Sequence, residues 1–147
     1  MKTKAPDLNR IYPRSPNELL GGYAHLSRMI DKARAKAADT LGEYIYPCPL
    51  DQSLLDFLGI QSAAFLEVAQ DRDDEGILKW VKENGRPHSG SEIEWWNREL
   101  FSRKPQTEDS LRRFQETRSR VAPQRQDVTT WVDLLDLEEK REVPSRA

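Results

Sequence analysis

The stretch from Tyr23 to Ala38 constrains this chain most. At about 100° per residue, Leu26, Met29, Ile30, Ala33 and Ala37 fall on one face. His25, Arg28, Lys32 and Lys36 form the opposite stripe, which reads as solvated surface. Tyr23, Ser27, Asp31 and Arg34 run along a border between the two. This is an amphipathic helix that needs a core to pack on, with Gly42 placed to end the segment.

The remaining segments repeat the theme. Ser15-Pro16-Asn17-Glu18 reads as a helix start, broken by Gly21-Gly22. Pro47 and Pro49 bias Tyr46 and Cys48 to extended geometry, so Tyr44, Tyr46 and Cys48 point to one side. Asp51 is expected to cap a short helix through Leu58, and Ser62 one through about Gln70. Asp73 or Asp74 opens a helix to Asn84. Ser91-Glu92-Ile93-Glu94 forms a capping box for a helix ending near Lys104. Thr107 starts another, to about Ala122, with Leu111, Phe114 and Val121 as a narrow apolar stripe around Arg118. Thr130 caps a last helix carrying Trp131, Leu134, Leu135 and Leu137. No segment alternates with period two between hairpin turns. The expectation is an all-α single compact domain of about seven helices without substantial sheet. Residues 1–13 and 143–147 are expected to be mobile ends.

Composition narrows the function classes. The chain has 147 residues, 37% hydrophobic and 33% charged, enough for a core without staples. No apolar run approaches the roughly 18 residues of a membrane span. The N-terminal residues lack the apolar segment of a signal peptide, so a cytoplasmic location is expected. One cysteine excludes an intramolecular disulfide, and His25 and His88 stand far apart, so no metal site is expected. Nucleotide cradles and hydrolase motifs are missing, and no cofactor is expected. Charge alternates in blocks: +4 over 1–40, −7 over 41–99, +4 over 100–126 and −3 over 127–147. Such blocks attract one another within a fold or across a homodimer. A nucleic-acid binder shows one dominant basic surface instead, so nucleic acid is not an expected partner.

Four places carry candidate chemistry. Tyr44, Tyr46 and Cys48 offer two phenols and a thiol on one strip, lining a pocket or filling core. Tyr23, Asp31 and Arg34 edge the long helix, where Arg34 can offer its fork to a small anionic ligand, or pair with Asp31. Trp95 and Trp96 cannot face the same core, so Trp95 is the interface candidate. Arg118 inside an apolar stripe suggests a buried pair with an acid, the alternative being a side chain that snorkels to solvent. His25 is assigned to solvated helix surface, and His88 to a loop without a role. The leading expectation is a non-catalytic binding or interaction protein. Its rival is an enzyme acting on a small polar or anionic substrate between the 23–38 helix and the 43–51 segment.

Several strings also occur together in order: Leu20-Gly21-Gly22-Tyr23, Arg28-Met29-Ile30-Asp31-Lys32-Ala33-Arg34-Ala35, Gly42-Glu43-Tyr44, Cys48-Pro49-Leu50-Asp51 and Thr129-Thr130-Trp131-Val132-Asp133-Leu134-Leu135-Asp136. In these the chain resembles a bacterial family of small single-domain proteins known only as a domain of unknown function. The resemblance implies a bacterial cytosolic origin and carries no activity, cofactor or catalytic residue.

Overall fold

Helical periodicity and Pro/Gly punctuation set the architecture. A computed structural model describes residues 4–147 and is all-α, with seven helices and no strand among the described residues. They are α1 (Leu26–Ala37), α2 (Pro49–Leu58), α3 (Ser62–Asp71), α4 (Asp74–Asn84), α5 (Gly90–Phe101), α6 (Glu108–Val121) and α7 (Trp131–Glu138). The contacts divide them between two compact units, residues 1–96 and 97–147.

In the first unit α1 packs on α3, and α3 on α4. Leu26, Met29, Ile30 and Ala33 are fully buried, as their shared face requires. The segment before α1 departs from expectation. Ser15–Glu18 makes only a turn, closed by Glu18 N donating to Ser15 O at 3.0 Å. One helical turn ahead of a double glycine has no length over which to recover its nucleation cost. Gly21 and Gly22, at φ +59° and +85°, form a tight turn in which Leu20 and Tyr23 exchange backbone bonds. A Cβ on Gly21 would sit 2.6 Å from the Leu78 side chain. The helix therefore begins at Leu26, not Tyr23. His25 precedes it with a left-handed φ of 73°.

Further along, α2 begins at Pro49, which suits the first helical position. Asp51 sits in the first turn and accepts from Cys48 N at 2.9 Å. Asp73 caps α4 by accepting from Gly76 N, as its sequence predicts. The capping box of α5 is Ser89 with Glu92, two residues before the expected pair. Both strings read S-x-x-E, and the structure uses the earlier one.

In the second unit α6 packs on α7 over Phe114, Val128, Leu134 and Val143. Thr107 and Thr130 cap these helices as expected. Leu111, expected inward, is exposed, because the inner stripe of α6 narrows to Phe114. Among the described residues Arg118 meets no acid. It donates to Val128 O at 2.8 Å and Gln126 Oε1 at 3.1 Å, and lies over the Phe114 ring.

Both expected mobile ends carry tertiary bonds. Residues 1–3 lie outside the described part. Leu8 is buried, its N donates to Thr40 O, and Thr40 Oγ1 donates to Pro6 O. At the other end Val143 is buried, Arg125 holds Val143 O and Pro144 O, and Arg146 grips both oxygens of Asp133. Hydrogen bonds to these backbone groups, invisible in local sequence, hold both segments.

Candidate functional site

The basic stripe of α1 is the main surprise. Polarity predicts solvent for His25, Arg28, Lys32 and Lys36; Lys36 is exposed, yet His25 is 0% exposed and Arg28 and Lys32 3%. Within the 44–51 segment the Asp51 carboxylate covers His25 and Lys32, and the Tyr44 ring lies against Arg28. His25 Nε2 lies 2.7 Å from Asp51 Oδ1, and Lys32 Nζ 2.7 Å from Asp51 Oδ2. Lys32 Nζ also donates to Cys48 Sγ at 3.1 Å. The four side chains form one connected polar cluster, in which Cys48 alone is partly exposed.

Electrostatics set the protonation states. Burial dominates at His25 and holds its imidazole below the ordinary 6.5, with the Asp51 hydrogen bond offsetting part of this. Neutral His25 then donates from Nε2 to Asp51, leaving Nδ1 as a buried nitrogen without a partner among the described residues. At Asp51 burial pushes upward, but the His25 hydrogen bond and the Lys32 ammonium overcome it. The carboxyl is held well below the usual carboxylate range.

The expected site residues do not converge on one pocket. Asp31 and Arg34 do not pair with each other. Asp31 takes a bidentate fork from Arg14, at 3.0 and 2.9 Å. Arg34 binds Asp74 Oδ1 at 3.1 Å and donates to Ala69 O and Arg72 O at the end of α3. Arg14 also reaches Asp74 at 2.7 Å, so the ions alternate as Asp31–Arg14–Asp74–Arg34. Tyr46 is buried, stacks on Phe65 and donates its hydroxyl to Ser62 O. Burial, with the Asp51 charge, pushes that phenol far up. Tyr44 lies under the Arg28 guanidinium, 5.5 Å from its ring centre.

Tyr23 belongs to a separate aromatic face. Its hydroxyl is 3.2 Å from His88 Nδ1, and burial raises its pKa. His88 stacks on Phe57 at 3.9 Å between ring centres, Phe57 stacks on Trp96 at 5.3 Å, and Trp95 stands 6.1 Å from Phe57. Trp96 is buried and donates to Ala24 O, whereas Trp95 is 51% exposed. The opposed placement of the two indoles follows the helical spacing. Sequence does not bring His88, read as a loop residue without a role, together with Phe57, because stacking between a loop and α2 has no local periodicity.

The described residues form open depressions. One of about 520 Å³ is lined by Gln52, Asp56, Gly59, Gln61, Ser62 and Arg86. A second, of about 340 Å³, touches Arg34, Asp73, Asp74 and Glu75. Among the described residues, no group of three or more His, Cys, Asp or Glu side chains is placed to hold a metal ion. No helix of the described residues is long and apolar enough to cross a membrane.

Comparison with curated proteins finds no significant match. Residues 10–141 match a family described as a domain of unknown function, DUF5069, and with nearly the whole sequence covered the chain belongs to that family.

Proposed function

We propose that the protein is a non-catalytic interaction protein that self-associates through the aromatic face at Trp95. One observation carries this reading: an indole left half in water at the rim of a stack whose inner ring, Trp96, is buried. Leaving such a side chain solvated forgoes burial free energy on the order of 2 kcal/mol. Trp is also a frequent energetic centre of interfaces. A two-fold contact would set the exposed Trp95 of one copy against the same aromatic face of the other.

The catalytic alternative draws less support. Arg34 and Asp31, its anion-handling pair, are engaged with Asp74 and Arg14. Native mass spectrometry of the wild type and Trp95→Ala tests the proposal. A wild-type dimer that becomes monomer in the variant supports it. A wild-type monomer, or a variant that still dimerises, overturns it. A monomer carrying a co-purified small molecule also overturns it, in favour of ligand binding.

A further inference from the structure

Lys32 and Cys48 come from different elements, α1 and the residue before α2, yet their Nζ and Sγ atoms are 3.1 Å apart. Asp51 fixes that approach, accepting from Lys32 Nζ and from Cys48 N through the same oxygen, Oδ2. Lys32 is 3% exposed, so its amine has little freedom to leave the sulfur. His25 completes the cluster, fully buried with Nδ1 lacking a partner among the described residues. Natural cores rarely leave a buried polar atom so, and such atoms call for a reason beyond packing. Cys48 is the one member of the cluster that is partly exposed.

We propose that Lys32 and Cys48 form a peroxide-responsive covalent switch, in which the Lys32 amine captures the oxidised Cys48 sulfur as an S–N bond. The oxidant is a hydroperoxide. In the first step Sγ attacks the peroxide, an S–O bond forms and the O–O bond breaks. The sulfur is oxidised to a sulfenic acid, and the other peroxide oxygen leaves reduced, as water when the oxidant is hydrogen peroxide. In the second step the Lys32 ammonium gives one proton to solvent and Nζ attacks Sγ. The S–N bond forms, the S–O bond breaks, and the hydroxyl departs with a second amine proton as water. No further oxidant is consumed, and an added thiol returns the free amine and thiol. The link ties α1 covalently to the start of α2 and removes the cation facing Asp51.

The full chain, treated with hydrogen peroxide and mapped by mass spectrometry without reduction, tests this. The expected product has lost two hydrogens, joins the Lys32 and Cys48 peptides, and reverts with dithiothreitol. Lys32→Arg keeps a cation for Asp51, and its Cys48 gains oxygen with no joined peptides. Wild-type protein that only gains oxygen overturns the proposal. So does protein that forms disulfide-linked dimers, or that stays unmodified where a free cysteine is oxidised. The wild-type map stands alone should the variant fold poorly.

Discussion

His25 and Asp51 share a 2.7 Å hydrogen bond in which both side chains are wholly removed from solvent. Lys32 occupies the second Asp51 oxygen, so one carboxylate faces the buried Lys32 ammonium and the His25 imidazole together. Asp51→Ala leaves the Lys32 ammonium buried without its counter-charge. We expect a loss of about 3–5 kcal/mol, read by urea unfolding. A loss under about 1 kcal/mol would show that solvent reaches Lys32 freely.

The same pair makes stability depend on acid. Both groups titrate below their unfolded values in the folded chain. The unfolded state therefore binds more protons on acidification, and stability is fully present only above about pH 6.5. It falls as pH drops through the His25 window, and again below about pH 4 as Asp51 is protonated. Urea midpoints are expected to be lower near pH 5 than near pH 7.5, with a smaller difference in His25→Asn. Asn tolerates the left-handed backbone at this position. Equal wild-type midpoints at the two pH values would contradict a neutral buried His25.

Trp95 and Trp96 are neighbours with opposite fates. Trp96→Ala is expected to cost about 3–5 kcal/mol, since it empties a buried ring site and removes the indole bond to Ala24 O. Trp95→Ala is expected to cost about 1 kcal/mol or less in the monomer. Thermal melts of the two variants separate these outcomes. Similar losses would mean that the Trp95 ring is far better buried than its exposure indicates.

Gly85 and Gly90 flank one loop and differ in surroundings. A Cβ on Gly85 would meet Leu58 O at 2.6 Å and Val81 O at 2.8 Å, both backbone atoms. Gly85→Ala should destabilise by about 1–3 kcal/mol, through displaced backbone. Gly90 opens α5 with nothing within 4 Å of its Cβ position. Gly90→Ala should be neutral or stabilising by up to about 1 kcal/mol. Denaturant midpoints that move the same way in both would refute the contrast.

Arg118 holds Val128 O and Gln126 in place of an acid. Arg118→Ala should cost about 1–3 kcal/mol, the penalty of an unmade hydrogen bond. The roughly 3–5 kcal/mol of a broken buried ion pair is not expected. Urea unfolding distinguishes the two ranges.

Local chemistry determined much of this protein before any tertiary contact. The 3.6-residue period placed Leu26, Met29, Ile30 and Ala33 in a core. Asp73, Thr107 and Thr130 marked helix starts through short-range bonds to their own backbone. The double glycine before Tyr23 marked a break, and the helical spacing of Trp95 and Trp96 separated their faces. What tertiary structure decided was the partner of each polar group. Periodicity grouped His25, Arg28 and Lys32 on one face but left open whether water or a carboxylate covers it. Asp51 covers His25 and Lys32 and Tyr44 lies against Arg28, all from a segment many residues away, so positions that read as surface are buried. Likewise Asp31 found Arg14 and Arg34 found Asp74, although Asp31 and Arg34 are close enough in sequence to pair. Ion pairs follow distance in space, and sequence spacing fixes that distance only within a single helix.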